Sequence, residues 1–326
     1  MRHPFPLLVL LALLAGCATP DPIFAPDLDR SQLPKPDRTL SIAGLGPCTD
    51  NPDRRLQVRT GEPVTLLVHG CFGSSGQFRA LAQVLAFQGQ QSACFTYDDR
   101  AALDDPATEL RRAVSQLAEQ TGSRQITVIG HSQGALVARK AMTDALAEPP
   151  LPKQKTPDWR LVTISGPFSG IDAARTCGKS WLYPLTLGLL PLSCHAITGA
   201  KWADITFSSR FINEPGQLSA GVDHLKIDTD ERDTCRRQEG GRCVESDFIF
   251  SLAEQRNATI DADPRVDRVE VDAGHVEIVG DKLQAPTKLL AILEQKGVLQ
   301  PVAPERRSAF ERMVAAVYGL LPGHRR

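Results

Sequence analysis

The segment that most constrains the fold is Gly130-His131-Ser132-Gln133-Gly134, set between the aliphatic run Ile126 to Ile129 and the stretch Ala135 to Leu146, whose apolar residues recur at helical spacing. A Gly-x-Ser-x-Gly pentapeptide alone says little, since composition yields one in about one chain in ten of this size. Here it joins a predicted strand directly to a predicted helix. A turn that tight leaves no room for side chains beside the serine, which gives Gly130 and Gly134 a steric reason to be there. Ser132 then stands at the C-terminal end of a strand and the N-terminus of a helix, whose dipole favours negative charge. That is the setting of a nucleophile elbow.

The rest of the chain keeps the same alternation. Val64 to Val68, Ala93 to Tyr97, Ile126 to Ile129, Leu161 to Ile164, Leu225 to Ile227 and Val266 to Val271 read as strands. Phe78 to Phe87, Thr108 to Gln120, Ala135 to Leu146 and Pro286 to Gln295 read as helices, the last with proline at a tolerated first-turn position. Strands alternating with helices imply right-handed crossovers and a mostly parallel α/β sheet with helices on both faces. Strands apolar throughout suit a sheet covered on both sides. With 42% hydrophobic and 23% charged residues in 326 and a net charge of −1, no field or basic tract favours nucleic acid. Two stretches break the rhythm. The apolar connection of about 175–217, with Trp181-Leu182-Tyr183-Pro184-Leu185 and Leu187 to Leu192, is long enough to be a functional insertion, and a loop is bracketed by Cys235 and Cys243.

A serine hydroxyl needs a base to act as a nucleophile at neutral pH. Of the seven histidines, His3 lies in the signal, His324 in the tail and His224 before a strand, and His275, in Asp272-Ala273-Gly274-His275, alone follows the last predicted strand directly. His69 precedes the serine, His131 lies within the elbow, and His195 falls in the insertion. The chain order serine, acid, histidine then places the acid between Ser132 and His275. Asp228, Asp230, Asp233 and Asp247 are the candidates. A helix of about 11 residues and a strand of about 6 must fit between acid and histidine, which favours Asp247, with Asp233 as runner-up. An oxyanion needs preorganised backbone donors. The amide after the nucleophile, Gln133, is one. Cys71 in the loop His69-Gly70-Cys71-Phe72-Gly73 is the expected second, with Phe72 behind it.

His69-Gly70 after a strand, the Gly-His-Ser-Gln-Gly elbow and the late Gly-His together resemble an α/β-hydrolase, nearest to the esterase and lipase branch, over roughly 60–295. The resemblance implies an eight-stranded, mostly parallel sheet, a Ser-Asp-His triad of Ser132, Asp247 and His275, a cap insertion over the site, and no cofactor or metal. It also implies an ester substrate cleaved through an acyl-enzyme. The apolar insertion points to a lipid or acyl-chain ester, against a well-packed cap over a small-ester pocket. An amidase or thioesterase would use the same triad, and a non-catalytic envelope lipoprotein that kept the fold is the alternative from another class. No oligomeric state follows from the sequence.

The first residues form a separate unit. Arg2, the aliphatic run Leu7 to Leu14 and the small residues before Cys17 describe an export signal, too short to span a bilayer. Leu14-Ala15-Gly16-Cys17 resembles the lipobox of bacterial lipoproteins. That implies a signal peptide of 1–16, lipidation of Cys17, and, with Ala18 next, an outer-membrane anchor with the body in the periplasm. Residues 17–38, rich in proline, read as a tether, and 39–326 as the catalytic domain. An oxidising compartment permits disulfides among the remaining cysteines. Cys235–Cys243 and Cys177–Cys194 are the expected pairs, and of Cys48, Cys71 and Cys94 at least one stays a thiol. No Cys-x-x-Cys or His-x-x-x-His spacing appears that would hold a metal.

Overall fold

The computed structural model describes residues 28–146, 151, 158–174, 186, 189–282 and 284–320. The signal peptide, Cys17, Cys177 and the aromatic part of the insertion at 181–185 lie outside the described residues.

In chain order the strands are β1 Arg38–Leu40, β2 Leu45–Gly46, β3 Leu56–Val58, β4 Val64–Val68, β5 Gln91–Phe95, β6 Gln125–His131, β7 Asp158–Ile164, β8 Val222–Asp230, β9 Cys235–Glu239, β10 Arg242–Ser246 and β11 Val266–Asp272. The central strands β4, β6, β7 and β8 form on the aliphatic runs. One sheet runs β11-β8-β7-β6-β4-β5-β2. All its pairings are parallel except the edge strand β2, which runs antiparallel on β5. Among the described residues this sheet has seven strands rather than the eight implied by the resemblance. β1 and β3 form a separate antiparallel pair, and β9 and β10 a hairpin.

The alternation of side chains along the central strands explains why both faces are covered. Leu66, Val68, Ile126 and Val128 point into one core with Leu110, Val114 and Leu136. Leu67 and Ile129 point into the other with Leu81, Leu85, Leu289, Leu293, Phe310 and Val314. The first face is covered by helices α2 (Asp104–Thr121) and α3 (Gln133–Ala141). The second is covered by α1 (Arg79–Phe87), α5 (Thr287–Gln295) and α6 (Arg307–Val317). Helix α4 (Leu189–Thr198) belongs to the insertion.

Several boundaries differ from the sequence reading for identifiable reasons. β5 starts at Gln91, two residues before the expected Ala93, because the buried Gln91 side chain accepts from Arg59 N–H and donates to the Arg59 carbonyl beside β4. Tyr97 falls beyond the strand, where its hydroxyl donates to the His69 carbonyl at 2.7 Å. α2 begins at Asp104 rather than Thr108: Asp104 and Asp105 favour the dipole of the first turn and Pro106 needs no partner there. α3 stops at Ala141 rather than Leu146, because Arg111 donates to the carbonyls of Ala141 and Thr143 and so takes up its last acceptors. The expected tether is already laid on the domain at its described end, where Leu28 packs against the core and Asp29 N–H donates to Gln83.

The Cys235–Cys243 disulfide closes the β9–β10 hairpin as expected. Cys194 is disulfide-bonded, its expected partner Cys177 lying outside the described residues. A further bond joins Cys48 to Cys94, and Cys71 remains a thiol. Among the described residues no helix is long and apolar enough to cross a membrane.

Candidate active site

Because β4, β5, β6, β7, β8 and β11 run in one direction, the loops leaving their C-terminal ends gather along one rim of the sheet. Ser132 sits on that rim with φ 57° and ψ −126°, a conformation an L-residue holds only under constraint. The constraint is visible on both sides. Ser132 N–H donates to Ile164 on β7 at 2.9 Å. A Cβ on Gly130 would stand 2.3 Å from the Gly134 carbonyl oxygen, and one on Gly134 would stand 2.3 Å from that of Val68. The two glycines let the serine turn outward between strand and helix, as the pentapeptide requires.

His275 reaches the same rim from the loop after β11. Its backbone carbonyl lies 3.0 Å from His131 Nε2, and the two rings approach to 4.7 Å between centroids. His275 therefore lies against the residue that precedes Ser132. The edge of Phe250 meets its ring at 4.9 Å, and the imidazole is buried.

The partner of the imidazole is not the expected aspartate. His275 Nδ1 lies 2.9 Å from Glu231 Oε1. Glu231 follows directly on β8, and its side chain is fully enclosed. Oε1 also accepts from Thr229 Oγ1 at 3.0 Å, while Oε2 accepts from the amides of Ile249 and Phe250 at 2.6 and 2.8 Å. Asp247, the acid expected from the sequence, instead accepts from the backbone N–H groups of Val276 and Glu277, and its own carbonyl accepts from His275 N–H. It braces the loop that carries His275 rather than the ring. Burial raises the Asp247 carboxyl above its ordinary range, against the pull of the Glu277 and Val276 amides. Of the other aspartates, Asp228 pairs with Lys226, Asp230 pairs with Arg232, and Asp233 is exposed in a turn at φ 60°.

The loop after β4 passes close over the serine, since a Cβ on Gly70 would lie 3.0 Å from Ser132 Cβ. Phe72 N–H donates to Asp99 Oδ2 at 2.7 Å, so the runner-up oxyanion amide is committed elsewhere. Cys71, the expected donor, belongs to the same loop, next to Gly70. Gln133 opens α3, where the first amides have no partner within the helix. Among the described residues no group of three or more His, Cys, Asp or Glu side chains is arranged to hold a metal ion.

His131 is half-buried on this rim and His224 is buried near the start of β8, and desolvation lowers both well below the ordinary histidine range. Each is neutral in the native state and takes a proton in the unfolded chain below about pH 6.5. The unfolded state then binds more protons, so stability is lost as pH falls below that value. Each group contributes up to about 1 kcal/mol per pH unit. The urea midpoint is expected to drop between pH 7 and pH 5.5, and a midpoint that holds or rises would contradict neutral burial.

A family model described as a domain of unknown function, DUF7379, matches residues 45–187. No curated protein matches the sequence. Among solved structures, the propeptide form of the Bacillus licheniformis lipase BlEst2 aligns with a TM-score of 0.50 at 15% identity, over 83% of this chain and 55% of that one. The mature form of the same lipase aligns at 0.47 and 14% identity, over 82% of this chain and all (100%) of that one. The propionate-bound esterase Est2 of Thermogutta terrifontis aligns at 0.45 and 17% identity, over 79% of this chain and 90% of that one. The fold is that of the α/β-hydrolases, a mostly parallel sheet covered on both faces.

Proposed function

We propose that this chain is a serine hydrolase of carboxylic esters, with Ser132 as nucleophile, His275 as general base and acid, and Glu231 as the acid that orients the imidazole. The observation that carries the reading is the 2.9 Å contact between His275 Nδ1 and the enclosed Glu231 carboxylate, on the rim that also presents Ser132 at a positive φ. With Nδ1 engaged, Nε2 is left to take the serine proton. Ser132 Oγ attacks the ester carbonyl carbon, and the oxygen that gains the charge accepts from the Cys71 and Gln133 amides. The intermediate collapses, the alcohol departs with the proton from His275, and water activated by the same imidazole releases the acid. Ser132→Ala should lower kcat at least about 10⁴-fold and abolish labelling by a fluorophosphonate probe. Undiminished ester hydrolysis by that variant would end the reading.

The substrate class proposed is an acyl-chain ester. Leu189 and Leu192 on α4 are each 63% exposed, and Phe248 and Ile249, beside the Glu231 loop, are 44% and 43% exposed, which supports an apolar surface for a chain to follow. Each methylene buried adds about 0.8 kcal/mol, so kcat/KM should rise about 10²-fold from a butyrate to an octanoate nitrophenyl ester. A flat or falling series would indicate a small-ester pocket. We propose further that Cys17 carries the lipid anchor and holds the domain at the outer membrane facing the periplasm. Palmitate labelling lost in Cys17→Ala supports this, and labelling equal to wild type refutes it.

A further inference from the structure

Beside the proposed oxyanion hole lies a charged side chain that the mechanism above does not use. Lys201 sits in a single 3-10 turn, Ala200–Ala203, within the insertion just after α4. It is 2% exposed. Its Nζ donates to Cys71 Sγ at 2.9 Å, to Gln133 Oε1 at 2.8 Å and to Asp99 Oδ2 at 3.4 Å. An ammonium has three protons, and here each has an acceptor. Two of the acceptors belong to the residues whose amides would hold the oxyanion. The third, Asp99, fixes the same two segments again: its carboxylate accepts Phe72 N–H, and its carbonyl accepts Gln133 Nε2. The ammonium also lies 5.3 Å from the centre of the Phe72 ring.

A buried lysine is costly to enclose unless its charge is fully met, so the fold loses stability if this one has no task. The loop after β4 and the first turn of α3 are separate in the chain, and an oxyanion hole works only if their amides converge. We propose that Lys201 is a positioning residue that clamps the two oxyanion donors against one another from behind. The inference rests on the hydrolase reading above. It adds that the turn after α4 in the insertion sets the geometry of the hole, so that cap placement and acylation are linked through one ammonium. Lys201 does not touch the reacting atoms.

The test compares wild type with Lys201→Met on nitrophenyl butyrate, together with the rate of inactivation by a nitrophenyl phosphonate and the melting temperature. A misplaced donor costs the transition state and not the bound ester, so kcat and the phosphonate rate should fall together by about 10- to 100-fold with KM within about twofold. A purely structural lysine would shift the melting temperature, or KM, without that paired loss. Should Lys201→Met fail to fold, Cys71→Ala and Gln133→Leu each remove one acceptor of the clamp. Each is then expected to lower kcat several-fold, about 3- to 10-fold, at constant KM. An active wild type whose folded Lys201→Met keeps kcat, or whose two acceptor variants both keep it, overturns the clamp alone. A wild type that neither hydrolyses the ester nor takes up the phosphonate overturns the hydrolase reading and the clamp with it.

Discussion

Glu231→Gln is expected to lower kcat about 10⁴-fold while leaving the fold in place, and Asp247→Asn to cost less than about 10²-fold. The difference follows from what each carboxylate touches. Oε2 of Glu231 accepts from two backbone amides, those of Ile249 and Phe250, at 2.6 and 2.8 Å. A glutamine there must turn its carbonyl oxygen to those two donors, because its amide nitrogen has nothing to accept with. The nitrogen then faces His275 Nδ1, where Glu231 Oε1 stood at 2.9 Å. It donates to Nδ1 and drives the imidazole proton to Nε2. In that tautomer the ring has no lone pair for the serine proton, so the base is lost although every side chain keeps its place. Asp247→Asn keeps an oxygen for the amides of Val276 and Glu277 and leaves the ring tautomer alone. Its cost is a loosened His275 loop. Steady-state rates of the two variants on one nitrophenyl ester decide the matter. A loss in Asp247→Asn equal to or above that in Glu231→Gln would return the acid role to Asp247.

The proposed nucleophile Ser132 and base His275 stand out in the sequence because each lies next to a strand that announces itself. Ile126 to Ile129 is aliphatic, the helix after Gly134 is periodic, and Gly274-His275 closes the last strand. Glu231, proposed as the acid, does not, and the reason is local. The spacing from His275 predicts a helix of ordinary length before β11, but only the one-turn helices Leu252–Gln255 and Ala258–Asp261 lie there. The space is taken instead by the β9–β10 hairpin, inserted between Glu231 and Asp247. Glu231 lies outside the aspartate candidates, although it directly follows the β8 run that contains Leu225 to Ile227, where any carboxylate stands at the end of a strand on the rim. Lys201 had no comparable signal. Its partners Cys71 and Gln133 lie 130 and 68 residues away, and a lone lysine at the end of an apolar insertion reads as a surface charge. The strand pattern carried the sheet order as far as parallel neighbours with both faces covered. It did not reveal α6, whose buried face of Phe310, Val314 and Val317 closes the second core.

Lys226→Met is expected to destabilise the protein by about 3–5 kcal/mol, the largest single-site effect on stability that the structure implies. Lys226 and Asp228 alternate with Leu225 and Ile227 along β8, so they point away from the second core and toward the face that carries Val222. There the Lys226 side chain is fully enclosed, and its Nζ meets Asp228 at 2.6 Å and Asp261 at 3.2 Å. Arg268, 38% exposed, adds a contact to Asp228 at 3.5 Å. Methionine fills nearly the same volume, so packing is kept while two carboxylates lose their shared buried cation. Burial already raises the Asp228 carboxyl, with Lys226 pulling it back. Without Lys226 it rises further, and the cost of the variant relative to wild type should shrink as the pH is lowered from 7 to 5 and Asp228 takes up a proton. Lys226→Met combined with Asp228→Leu removes the stranded charge along with its partner, and should be more stable than Lys226→Met alone. Urea unfolding of the two variants beside wild type at both pH values measures this. A double variant as unstable as the sum of its parts, with a penalty that does not move with pH, would show that packing rather than charge pairing holds this part of the sheet.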